Sequence, residues 1–154
     1  MASTGMSRDG TSIAYDIQGE GSAVLFVTAA LNLRGAAAPV SASLADAGFT
    51  TVTYDRRARG DSDDAAPLGE WDPRREAEDL EALLGLVGGQ ASVFGWSSGA
   101  SLCLYAAAAG LELTRFALSR SRSHRNPSRA TTRRVRRPAP RKPGFPNGQV
   151  ASGA

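Results

Sequence analysis

The chain has 154 residues, 42% of them hydrophobic, and a single cysteine, Cys103. That length suits one domain, and one thiol excludes a disulfide framework and suits a reducing, cytoplasmic compartment. No apolar run reaches the ~18 residues of a membrane span, and the opening MASTGMSRDG has no apolar signal segment, so neither membrane insertion nor secretion is expected. In chain order, Asp9-Gly10 is a turn signal that predicts a two-residue hairpin, with residues 11–17 as its second strand. The break Gly19-Glu20-Gly21 follows. Residues 23–27 (AVLFV) form a continuous apolar run, as expected of a strand covered on both faces. The alanine-rich stretch 35–47, with Pro39 in its first turn and Gly48 after it, predicts a helix. Residues 50–54 (TTVTY) are β-branched and predict a strand, and the polar stretch 55–68 predicts a loop.

Asp72-Pro73 opens a second helix, with Asp72 as N-cap and Pro73 in the first turn. Ala77, Leu80, Leu83, Leu84 and Val87 share one face at helical spacing. Glu76, Glu78, Asp79 and Glu81 lie in the early turns, where the helix dipole favours anions; they read as a solvated face rather than a catalytic pair. Gly88-Gly89 ends this helix. Residues 91–94 (ASVF) predict a buried strand, and it runs into Gly95-Trp96-Ser97-Ser98-Gly99 and then an Ala/Leu-rich helix, 100–109. Cys103 on that helix reads as a small core residue. Residues 115–118 start one more strand. Strands alternating with helices at this spacing imply βαβ units. The expected fold class is α/β, a mostly parallel sheet with a leading antiparallel hairpin and helices on both faces.

Strand, G-x-S-x-G, helix is the context of a nucleophile elbow. A strand that turns into a helix over one residue strains that residue and leaves its side chain at the apex. Gly95 and Gly99 stand where a Cβ would collide with neighbouring elements. With two upstream motifs, each after an apolar strand, residues 1–118 resemble the N-terminal half of an α/β-hydrolase. The first is Thr28-Ala29-Ala30-Leu31 after AVLFV. The second is Asp55-Arg56-Arg57-Ala58-Arg59-Gly60-Asp61-Ser62 after TTVTY, similar to the family's D-x-R-G-x-G-x-S turn. The resemblance implies Ser97 as nucleophile and the backbone N–H groups of Ala30 and Ser98 as oxyanion donors, each worth about 3–4 kcal/mol in comparable sites. It implies hydrolysis of an ester or related acyl substrate. Asp55 and Arg57 match the turn that supports the neighbouring loop. No cofactor and no metal are expected.

The sequence departs from that pattern in four places. Thr28-Ala29 replaces the family's His-Gly, and Ala58 replaces a Gly. Trp96 stands where His is common, either lining an acyl pocket or packing beside the sheet. Downstream of Ser97, the family order calls for an acid and then a histidine. Glu112 is the only acid there and His124 the only histidine. Glu112 is not where the family places its acid, and His124 reads as a solvated residue. A serine hydroxyl without an oriented base is a poor nucleophile, so weak or no turnover is expected of an incomplete, truncated α/β-hydrolase fold.

Charge divides the chain. Residues 1–114 hold 7 basic and 15 acidic residues, whereas residues 115–154 hold 11 basic and none acidic. From Ser119 onward, hydrophobic periodicity vanishes into Arg-, Pro-, Ser- and Ala-rich sequence that cannot bury enough surface to offset its ordering entropy. Residues 119–154 are therefore expected to form a disordered basic tail. A shift of reading frame near Ser119 in GC-rich DNA would produce such a segment, and the coding DNA past codon 118 tests that idea. A non-catalytic alternative is a tail that binds polyanions, nucleic acid or a membrane surface, through phosphate contacts. No folded nucleic-acid module is recognisable, so no specific nucleic-acid partner is expected. Self-association through an exposed sheet edge is the remaining expectation.

Overall fold

The computed structural model describes residues 3–63 and 71–120. Strands β1 (Ser3–Met6) and β2 (Ser12–Gln18) form the leading hairpin. Its turn is one residue longer than predicted. Ser7 N–H donates to the Thr11 carbonyl at 2.8 Å and Gly10 N–H to the Ser7 carbonyl at 3.0 Å. The loop is therefore residues 8–10, closed by Gly10 at φ +87°, the three-residue form in which a left-handed residue follows the turn. The Asp9 carboxylate braces it by accepting from Thr11 N–H.

Strand β3 (Ser22–Val27), a 3-10 turn (Arg34–Ala37), helix α1 (Ala38–Asp46) and strand β4 (Phe49–Tyr54) follow. Helix α2 is Pro73–Gly85, β5 is Ala91–Trp96, α3 is Ser98–Ala108 and β6 is Leu113–Ser119. The Asp72 side chain accepts from Arg74 N–H at 2.9 Å, so α2 is capped as the sequence predicts. The sheet order is β1-β2-β4-β3-β5-β6. β1, β2 and β4 pair antiparallel; β4, β3, β5 and β6 run parallel. The expected α/β class and leading antiparallel hairpin are both present.

The direction of travel across the sheet reverses between the β3–β4 and β4–β5 connections. Right-handed crossovers then place α1 on one face and α2 with α3 on the other. Strand alternation agrees with this placement. Leu25, Val27, Val52, Tyr54 and Val93 share a core with Leu80, Leu83 and Leu84 of α2 and Leu102, Cys103 and Ala106 of α3. On the opposite face, Ser41 of α1 donates to Thr51 of β4 at 2.8 Å, and Phe26 and Phe94 meet as tilted rings 5.6 Å apart. The reversal makes the carboxyl ends of β3 and β5 a topological switch point, the place where open α/β sheets leave a crevice.

Among the described residues, no helix is long and apolar enough to cross a membrane, and no cluster of His, Cys, Asp or Glu could hold a metal ion. The disorder expected of the basic tail falls, from residue 121 on, outside the described residues, as does His124.

Candidate active site

Ser97 sits at the corner between β5 and α3 with φ 55° and ψ −118°. A left-handed conformation in a residue with a Cβ costs about 1–3 kcal/mol and persists only where the surroundings enforce it. Both flanking glycines show the enforcement. A Cβ on Gly99 would lie 2.0 Å from the Val27 carbonyl oxygen, and one on Gly95 2.7 Å from the Ala100 Cα. Strand β3 and helix α3 thus approach the corner too closely for any side chain at either position. From the far side, Ser97 N–H donates to the Ser119 carbonyl at 2.8 Å, which ties the corner to the end of β6.

Helix α3 begins at Ser98, two residues before the sequence predicts, because Ser97 itself is the N-cap. A capping serine ordinarily uses its hydroxyl on the helix amides. Here Ser97 has the backbone of a sharp corner rather than of an ordinary cap, and its side chain makes no capping hydrogen bond. Its Oγ is left for other chemistry, beside a helix N-terminus whose first N–H groups, Ser98 among them, have no intrahelical acceptor.

Ala30 lies in the turn after β3, closed by Asn32 N–H donating to the Ala29 carbonyl at 2.9 Å. The structure brings this loop to the elbow, as the sequence predicts, but its N–H is engaged: Ala30 N–H donates to Ser98 Oγ at 2.9 Å. The Ala30 carbonyl accepts from Arg59 Nε at 2.8 Å. Of the three predicted site residues, Ser97 and Ser98 are adjacent at the corner, and Ala30 reaches the corner through the Ser98 side chain.

The turn after β4 supports this arrangement. Asp55 is buried, accepts from Arg34 N–H at 2.7 Å and from Asp61 N–H at 3.1 Å, and is ion-paired with the Arg34 guanidinium. Gly60 is required beside it, since a Cβ there would lie 2.3 Å from the Asp55 carboxylate. Ala58, where the resembled motif has Gly, keeps the left-handed backbone at φ 57°. Arg57 is bidentate to Asp79, at 2.8 and 2.6 Å, and reaches Asp9 at 2.9 Å. Hydrogen bonding to Asp79 and then to Asp9 outweighs burial and raises the Arg57 pKa. Arg56 is bidentate to Glu76, at 2.5 and 2.7 Å, and donates from Nη1 to Ser98 Oγ at 3.1 Å. Burial works against the Arg56 charge, but Glu76 more than compensates.

Glu76 and Asp79 do not form the solvated face that the sequence led us to expect. Both are buried, and both neutralise arginines of the β4 turn. A signal for this was present. Glu76, Asp79, Leu80 and Leu83 follow the i, i+3, i+4, i+7 stripe, so the two acids belong to the face that meets the sheet.

Cys103 is fully buried, and burial pushes its thiol up to about 12, which makes it the core residue expected. Trp96 is exposed at the end of β5. Glu112 is exposed in the connection from α3 to β6.

A parallel sheet with a strained serine at a strand–helix corner, held between two obligatory glycines, defines an α/β-hydrolase-type elbow. Comparison with known proteins agrees. The profile of the alpha/beta hydrolase family matches residues 24–152, and the chain belongs to that family. An alpha/beta hydrolase from Sphaerobacter thermophilus is 48% identical, with a TM-score of 0.71 over 75% of this chain and 44% of its own. An esterase from Exiguobacterium antarcticum is 21% identical, with a TM-score of 0.69 over 77% of this chain and 44% of its own. An epoxide hydrolase mutant from Vigna radiata is 22% identical, with a TM-score of 0.72 over 85% of this chain and 42% of its own. The last two share the fold. The chain spans less than half the length of each of these structures. No curated protein matches it.

Proposed function

We propose that the chain carries the nucleophile half of a serine hydrolase acting on an ester or related acyl substrate. The observation that supports this best is the backbone of Ser97, held at φ 55° with its hydroxyl withheld from helix capping. In this reading Ser97 Oγ attacks the carbonyl carbon, its proton passes to a base, and the oxyanion is held by the N–H groups of Ser98 and Ala30. The intermediate collapses by breaking the acyl C–O bond, the alcohol leaves with the proton returned by the base, and water then adds to the acyl-enzyme in the same way to release the acid and restore Ser97. The described residues include no histidine, so the proton lacks an oriented acceptor there, and turnover by this 154-residue chain is weak.

Incubation with a fluorophosphonate reagent tests both parts. Slow labelling at Ser97, lost in Ser97→Ala, is the expected result. Equal labelling of Ser97→Ala removes Ser97 as nucleophile. Fast, stoichiometric labelling of the wild type overturns the weak-turnover claim, because it requires an efficient base.

A second reading is favoured by the 11 basic and no acidic residues of 115–154, a charge pattern suited to phosphate polyanions. Its signature is salt-dependent binding of heparin or RNA that survives Ser97→Ala and is lost on deletion of 121–154. Binding that ignores salt removes it.

A further inference from the structure

The Ser98 hydroxyl occupies a position that the α/β-hydrolase resemblance does not assign. Its Oγ accepts from two donors, Ala30 N–H at 2.9 Å and Arg56 Nη1 at 3.1 Å. A hydroxyl oxygen has two acceptor lone pairs, and these two donors use both. Arg56 is itself fixed by bidentate pairing with Glu76, and Glu76 also accepts from Trp71 Nε1. The Ala30 carbonyl is held independently by Arg59. The loop after β3 is therefore fastened at both backbone groups of one residue, to the elbow on one side and to the β4 turn on the other.

We propose that Ser98 is a positioning residue for the oxyanion site, its hydroxyl being the resident acceptor of Ala30 N–H and surrendering that donor to an anionic oxygen on a Ser97 adduct. This rests on the reading of Ser97 as nucleophile. The physical argument is competition for one donor. A neutral carbonyl oxygen and a neutral hydroxyl are similar acceptors, so a bound substrate gains little by displacing Ser98. An oxyanion accepts roughly twice as strongly, so it wins the donor as charge develops. Help given mainly to the charged state is help to the transition state. The displaced hydroxyl keeps its bond to Arg56, so it is not left unpartnered when Ala30 turns to the oxyanion. Neither hydrogen bond is local in sequence, with separations of 68 and 42 residues.

The test is amide exchange at Ala30 by NMR on the full chain, free and as the Ser97 phosphonate adduct, in wild type, Ser98→Ala and Ser98→Thr. In the free protein, Ser98→Ala exchanges Ala30 about tenfold faster, the scale of one lost hydrogen bond, while Ser98→Thr holds the wild-type rate. In the adduct, Ala30 is protected in wild type and Ser98→Ala alike, because the phosphonyl oxygen has taken the donor. An unchanged Ala30 rate in free Ser98→Ala overturns the proposal. So does a Ser98→Thr rate as fast as Ser98→Ala, or an unprotected Ala30 in the Ser98→Ala adduct. Failure of every variant to form an adduct strikes instead at Ser97 as nucleophile, and removes the displacement step with it.

Discussion

Among the described residues, two with side chains are held in the left-handed region, Ser97 at φ 55° and Ala58 at φ 57°, and they are strained for different reasons. Around Ser97, everything nearby enforces the conformation: strand β3 leaves no room at Gly99, helix α3 leaves none at Gly95, and β6 holds the amide. Around Ala58, the turn is set by its neighbours. Asp55 and Arg57 carry the ion pairs, Ala58 N–H donates to the Asp63 carbonyl at 3.0 Å, and only backbone groups of Ala58 take part in hydrogen bonds. Strain at the first position comes with a half-buried hydroxyl that makes no helix-capping bond, at the carboxyl end of β5. Strain at the second comes with nothing that glycine would not supply equally well. Local strain therefore marks a functional residue only when the side chain it presents is put to use.

The largest effect separating the two regions comes from the ion pairs beneath them. Glu76→Ala leaves Arg56 buried and uncompensated, and loss of one partner of a buried pair costs about 3–5 kcal/mol. Urea unfolding monitored by circular dichroism measures this. A loss below about 1 kcal/mol would mean that Arg56 escapes to solvent, and that the β4 turn does not depend on α2. Next comes Gly99→Ala, which drives a methyl into the Val27 carbonyl. Because backbone opposes it, the cost is at the upper end of overpacking, about 3 kcal/mol. Gly110→Ala, at a site with open space around it, is the control and loses only the left-handed preference of its turn.

A matched pair of substitutions sharpens the contrast. Ala58→Gly relieves a left-handed alanine at a gain of about 1 kcal/mol, reduced by the greater entropy of glycine in the unfolded chain. Ser97→Gly relieves comparable strain and gains a similar amount, but it eliminates fluorophosphonate labelling, whereas Ala58→Gly leaves labelling unchanged. Thermal melts of the two variants, read beside their labelling, decide the matter. If Ser97→Gly is destabilising instead, the corner is not strained and its serine is held by contacts of its own.

Much of this architecture is legible in the sequence because it is written locally. AVLFV, TTVTY and ASVF are apolar or β-branched runs that each begin just after a glycine, Asp72-Pro73 is a cap, and the spacing of Gly95, Ser97 and Gly99 is a corner. What escapes such reading is pairing across the fold. Glu76 and Asp79 look like part of a solvated helix face until the fold sets them against Arg56 and Arg57 of the β4 turn. Ser98 fills the variable position of G-x-S-x-G, and nothing local says that its hydroxyl reaches Ala30. The hairpin at Asp9 is intermediate. Its turn residues are evident, but the extra loop residue follows from how Ser7 and Thr11 pair.

The smallest predicted effect ties that hairpin to the β4 turn. Asp9 accepts from Arg57 across 48 residues of sequence, and the guanidinium holds its carboxyl well below the ordinary value of 3.8. A carboxyl whose pKa is lower in the folded protein than in the unfolded chain favours folding while both states are ionised. That contribution is complete above the unfolded value and is lost as pH falls from there toward the folded value. The stability difference between wild type and Asp9→Asn should therefore be constant from neutral pH to about pH 5, then narrow as pH drops past 3.8. Using the difference removes whatever is common to both proteins. Urea midpoints at pH 7, 5, 4 and 3 measure the trend. A difference that stays flat down to pH 3 would mean that Arg57 serves Asp79 alone and the hairpin is held to the turn by its backbone.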